Sequence, residues 1–266
     1  MQVYRGMDVG TAKATADDRR RVRHHCIDLV EATEDFTVAD YRDAYRAALA
    51  TIRDAGAAAV LVGGTGLYQR VVIDDFDLPG EWPEVRAALQ QERDTVVLHD
   101  RLAELDPAAA GRMEPSNRRR IVRALEVTIG SGRPFSSFGP GVDHYPPSPV
   151  VQIGIRRPRE VIAESVERRV HRMFADGLLE EVAALHARGL SRSAGQALGY
   201  KETVEHLEGR ISKDEAIDTI ILRTRQFAVR QERWFRRDPR VRWIDVEDDP
   251  VAEVVPAVVD ALHHAT

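Results

Sequence analysis

Four clusters in this 266-residue chain have residue types that could do chemistry. The first is LVGGTG, where an apolar run enters Gly63, Gly64, Thr65 and Gly66 and continues into the helical LYQRVV. A strand-to-helix turn of this kind leaves backbone N–H groups free at the carboxyl end of the strand, where α/β sheets bind ligands and where a helix start favours an anion. Glycine needed only to make a tight turn explains the same spacing. The segment is not a nucleotide-binding loop of the GxxxxGK[ST] type, which occurs nowhere in the chain. The second cluster is the NRRRIVRALEV run, with Arg119, Arg120 and Arg123 beside apolar Ile121 and Leu125. The third is the stretch from Arg223 to Arg242, which carries eight arginines against Glu232 and Asp238. On a helix Arg223, Arg230, Arg233 and Arg237 fall within about 80° of one another. Such a basic ridge suits a phosphate backbone, and a salt-bridged helix surface is the alternative. The fourth is the turn-rich opening MQVYRGMDVGTAK. The nine histidines and the single Cys26 form no metal-ligand spacing, so no structural zinc is expected.

These clusters need elements to hold them. CIDLV (26–30) and AAAVLVGG (57–64) read as short buried strands of a parallel sheet. Between them VADYRDAYRAALATIRDAG has helical spacing and stops at Gly56, giving a strand–helix–strand unit. Further strands are predicted at 149–155 and 241–246. Residues 74–145 differ: helical patterns at PEVRAALQQERD, VLHDRLAELD and SNRRRIVRALEVTIGSG precede a Gly/Pro/Ser-rich loop. The spacing predicts one long helix from Arg159 to Gly189, with a stripe through Ile162, Val166, Val170, Phe174 and Leu178, and a second opened by Ser212 and Glu215 as a capping box. The expected organisation is an α/β core in two parts, 1–73 and 146–266, around a mostly helical insertion at 74–145. Composition is that of a globular cytosolic protein, with 43% hydrophobic and 30% charged residues and a net charge of −5. No apolar run reaches membrane-spanning length, and one cysteine excludes an internal disulfide.

Taken together, YRGMDVGTAK, HHCIDLVEATEDFTVADYR, LVGGTGLY, NRRRIVRALEV, QALGYKE and RTRQFAVRQERWFRRDPR, in this order along essentially the whole chain, resemble the bacterial tRNA dimethylallyltransferase family. The resemblance implies a P-loop-NTPase-like, nucleotide-binding fold and transfer of a dimethylallyl group from dimethylallyl diphosphate to the exocyclic amine of the adenosine beside the anticodon of tRNA. It implies a tRNA anticodon stem-loop as partner and magnesium as cofactor, with no ligands for the ion identifiable in this chain. Carried over by residue, Gln2, Thr65, Arg86, the segment Arg119, Arg120, Ile121, Val122 and Arg123, and the segment Gln196, Ala197, Leu198, Gly199, Tyr200 and Lys201 match positions that touch tRNA. Arg169 matches an arginine that assists at the diphosphate, so Thr65 and Arg169 are the catalytic candidates. Asp8, Thr11 and Lys13 belong to a family motif without an assigned role. Met1 and Gln2 align with the last two positions of an Asp-Ser-x-Gln motif whose Asp is the family's general base. The resemblance therefore implies that the diphosphate loop, the first strand and that Asp precede the chain, and that the chain as written turns over little. A start placed too late and a genuinely short, non-catalytic tRNA-binding form both account for this. An adenylate isopentenyltransferase, acting on free nucleotide, is the related alternative.

Overall fold

The structure, a computed structural model, describes residues 1–264. Along the chain run α1 (Ala16–Arg21), α2 (Val38–Asp54), α3 (Gly66–Ile73), α4 (Pro83–Gln91), α5 (Thr95–Leu105), α6 (Pro107–Ala110) and α7 (Arg118–Ser131). Strand β1 (Gln152–Arg156) follows, then α8 (Arg159–Ala175), α9 (Leu178–Arg188), α10 (Arg192–Gly195), α11 (Tyr200–Leu207), α12 (Lys213–Phe235), β2 (Val241–Asp245) and α13 (Pro250–His264). The chain forms two compact units, one of residues 1–73 with 148–266 and one of residues 74–147.

In the first unit β1 and β2 pair in parallel, Gln152 opposite Val241 through Arg156 opposite Asp245. Both strands lie where the apolar runs place them. The other two predicted strands do not form. In 26–30 only Val30 makes a bridge, to Tyr4. Cys26 and Asp28 have φ of 58° and 53°, left-handed values that no ladder accommodates. The 57–64 run is extended but pairs with no strand among the described residues, and it leaves Val60 and Val62 59% and 86% exposed.

Helices supply the core instead. Tyr4, Met7, Leu178, Val182 and Tyr200 pack in one cluster, while Val170 of α8 meets Ile217, Ile220 and Ile221 of α12 in another. The predicted long helix is two, because Gly177 sits at φ 100° and ends α8 before α9 starts. In the second unit α5 and α4 pack on α7 around Leu89, Leu98, Leu102, Ile121 and Leu125.

The start of α12 follows its sequence signature. Ser212 Oγ accepts from the Glu215 amide, and a Glu215 carboxylate oxygen accepts from the Ser212 amide at 2.8 Å. Each satisfies a donor that the helix start leaves open. Ser212→Ala is expected to lower stability by about 1 kcal/mol and Ser212→Gly by only a few tenths. Urea unfolding measures both, and equal losses would show that the hydroxyl is not what holds the helix start.

Candidate active site

In the first unit the opening segment is fixed by one carboxylate. Glu181 of α9 accepts from the backbone amides of Asp8 (2.8 Å), Val9 (2.7 Å) and Gly10 (3.2 Å), and from the Tyr200 hydroxyl at 2.6 Å. A Cβ at Gly10 would collide with the Tyr200 ring, so only glycine lets the segment lie this close. Burial and the Glu181 charge push the Tyr200 phenol well above its ordinary pKa, so it stays a donor. Lys13 is buried, donating to the Tyr4 carbonyl at 2.6 Å and pairing with Asp8 at 2.6 Å and Asp28 at 2.7 Å. Asp28 also takes Arg19 at 2.6 Å. Desolvation pushes its carboxyl up, but Lys13 and Arg19 outweigh it and hold the pKa below the ordinary value. These contacts give Asp8 and Lys13 the role of struts. Gln2 braces the same segment, donating its amide to the Thr11 and Ala12 carbonyls at 3.1 Å.

The GGTG turn is also clamped. Gln69 donates to the Gly63 carbonyl at 2.7 Å and Gln231 of α12 to the Gly64 carbonyl at 2.9 Å. A Cβ on Gly64 would strike Gln231, and one on Gly66 would strike Trp234. Thr65 is left exposed at the start of α3, its hydroxyl uncommitted. Arg169 is exposed on α8, with no acid partner among the described residues.

The basic ridge of α12 is narrower than its sequence suggests. Arg223 pairs with buried Glu202, Arg225 with Glu167, Arg236 with Glu232 and Arg240 with Asp238. Arg237 lies over the Trp234 ring. Arg230 and Arg233 remain exposed and meet no carboxylate among the described residues. Of the Gln196–Lys201 segment, Ala197, Gly199 and Tyr200 are buried and Leu198 packs on the α8–α12 cluster. Those side chains serve the core, and Gln196 is the exposed one.

The second unit shows the same division. Glu126 of α7, fully buried, accepts from the Trp82 amide and from Arg86 Nε, each at 2.8 Å, and lies 3.1 Å from Arg123. Arg123 also donates to the Pro79 carbonyl at 2.9 Å. Arg118 reaches the carbonyls of Gln90 in the last turn of α4 and of Glu92 and Arg93 just beyond it. Ile121 and Val122, expected at the tRNA, are instead buried in the core, because helical spacing turns them inward. Arg119 and Arg120 point outward without partners among the described residues.

Sequence reading missed Glu126, Glu181 and Glu202, whose partners lie far along the chain or across a helix pair. The magnesium expected from the resemblance finds no protein-built cage. Among the described residues no three His, Cys, Asp or Glu side chains converge, and Asp8 and Asp28 already face Lys13 and Arg19.

A model of the IPP transferase family matches residues 2–238. The chain belongs to that family. It is 46% identical over 97% of its length to the tRNA dimethylallyltransferase of Thermobifida fusca, covering 82% of that relative. The full-length tRNA isopentenylpyrophosphate transferase of Bacillus halodurans superposes with a TM-score of 0.70 at 36% identity, over 99% of this chain and 86% of that one. A eukaryotic dimethylallyltransferase acting on tRNA shares the fold at a TM-score of 0.78 and 20% identity, over 97% and 69% of the two chains. The family is one of prenyltransferases, and the fold is α/β with a small parallel sheet. No helix among the described residues is long and apolar enough to cross a membrane.

The Glu126 cluster carries a pH dependence. Burial raises its pKa, but the Trp82 amide, Arg86 and Arg123 more than offset this and hold it below the ordinary value. A depressed folded-state pKa gives stability that is present above the unfolded value, about 4.3, and is lost as pH falls through the folded one. Thermal melts of the wild type are expected to lose stability on acidification below about pH 4.3, and Glu126→Gln to be less stable at pH 7 with a flatter acid limb. Parallel acid limbs would show that Glu126 carries none of this dependence.

Proposed function

We propose that the protein transfers a dimethylallyl group from dimethylallyl diphosphate to the exocyclic amine of the adenosine beside the anticodon of tRNA. One observation carries this reading: in a chain so similar to a tRNA dimethylallyltransferase, Thr65, Arg119, Arg120, Arg169 and Gln196 are all exposed with uncommitted polar ends, while neighbouring arginines are tied to acids.

In the reaction the allylic C–O bond to diphosphate breaks, the C–N bond to the amine forms, and an amine proton passes to a base. The acceptor base must leave its stack to reach the donor. Charge develops on the departing diphosphate, and Arg169 supplies a cation to meet it. Free cations in both units, Arg119 and Arg120 in one and Arg230 and Arg233 in the other, favour tRNA over a free nucleotide as acceptor.

Unmodified tRNA incubated with dimethylallyl diphosphate and the protein expressed from its own gene is expected to gain one dimethylallyl unit by mass spectrometry, and no gain would remove this reading. In that protein, Thr65→Ala and Arg169→Gln are each expected to lower the rate by roughly a hundredfold. Wild-type rates in both would remove these two roles. Reversing Arg230 and Arg233 to Glu is expected to weaken tRNA binding about tenfold or more, because backbone phosphates would then face carboxylates. Unchanged binding would discard the α12 surface.

A further inference from the structure

A cleft of about 890 Å³ in the first unit lies between the Asp8–Arg19 segment and one face of α8. Its lining includes five cations, Lys13, Arg19, Arg168, Arg169 and Arg172, and three carboxylates, Asp8, Asp28 and Asp176. Two of the carboxylates are already spent. Asp8 and Asp28 are paired to Lys13, whose side chain is 1% exposed, and Asp28 also to Arg19. Lys13 is thus a strut beneath the cleft, and the charge left to face solvent is mainly that of the three α8 arginines.

Those three stand within a turn of one another, and all are exposed. Arg168 has a solvated partner, Glu164 at 3.5 Å, and donates to Ser165 Oγ at 3.3 Å. Arg169 and Arg172 meet no acid among the described residues. Like charges three and four positions apart repel on a helix. The helix dipole favours a cation in the last turn, which accounts for Arg172 alone and not for the row. The local excess is also opposite in sign to the net charge of −5. A guanidinium fork binds phosphate oxygens in pairs, which a point charge does not. In a concave site such forks hold more than one phosphate group.

We propose that Arg168 and Arg172, facing Arg19 across the cleft, form a phosphate subsite next to Arg169 that no sequence motif marks. The ligand is a phosphate oxyanion with two possible sources, the donor's diphosphate or a phosphodiester of the RNA backbone. The inference rests on the prenyl-transfer reading for those two sources but is read by affinity rather than by product.

The test titrates inorganic pyrophosphate and an unmodified anticodon stem-loop RNA separately into the 266-residue chain, its Arg172→Lys variant and its Arg168→Gln/Arg172→Gln variant. The double variant is expected to bind at least one ligand about tenfold more weakly, with Arg172→Lys intermediate because it keeps the charge and loses the fork. Weaker pyrophosphate binding assigns the subsite to the donor. Weaker RNA binding alone assigns it to the backbone, with the slope of log affinity against log salt shallower by roughly 0.7 to 0.9 for each phosphate no longer neutralised. Both arginines are exposed, so matching melting curves are expected and separate weakened binding from impaired folding. The proposal is overturned if the double variant binds both ligands like wild type, or if the wild-type chain binds neither. Wild-type affinities in the double variant beside normal prenyl transfer by the protein expressed from its own gene would remove the subsite and leave the transfer reading intact.

Discussion

The Glu181 carboxylate is the group on which the candidate site of the first unit depends. It accepts from three successive backbone amides of the opening segment and from a tyrosine on a third element. Bonds to an ionised acceptor are about twice as strong as neutral ones. Removing the acceptor would strand several donors, each at a desolvation cost of about 1–3 kcal/mol where buried. The segment it holds has little regular structure of its own, only the Tyr4–Val30 bridge and short turns. Its shape is therefore imposed from α9 and α11, and with it one wall of the cationic cleft.

The same device recurs and sorts the arginines. Glu126 takes Arg86 and Arg123, Glu202 takes Arg223, and Asp106, 2% exposed, ties the start of α6 to Ser136. A buried acid left without its partner is costly, so each pair locks the elements that carry it. Arg119, Arg120, Arg169 and Arg172 meet no acid among the described residues. In an acidic chain with many arginines, the division between locked and free is what makes a selective phosphate surface, because a uniformly basic one would bind any polyanion.

Local pattern reveals those elements that local pattern determines. The α2 and α12 helices have strong periodicity with a cap or a terminal glycine, and β1 and β2 lie on apolar runs that pair with each other. The run at 26–30 is equally strand-like in sequence, but its backbone turns left-handed at Asp28, whose carboxylate meets Lys13 and Arg19. The α8–α9 stripe continues through Gly177 without a change of period, so only the glycine itself marks the break. Of the site, Thr65, Arg119, Arg120, Arg169 and Gln196 can be named from family motifs. Their supports cannot, since Asp8 and Glu181 are 173 residues apart and a glutamate on a helix reads the same whether solvated or buried.

The GGTG turn follows a run that forms no strand. In most α/β folds the ladder on both sides fixes where such a turn sits. Here 57–64 has no ladder among the described residues, and the turn is held by two glutamine amides and the Trp234 ring, two of the three contributed by α12. Glycine at 64 and 66 is required by that approach and not by an unusual φ, since neither residue has a positive one. The helix that carries Arg230 and Arg233 thus also sets the height of Thr65.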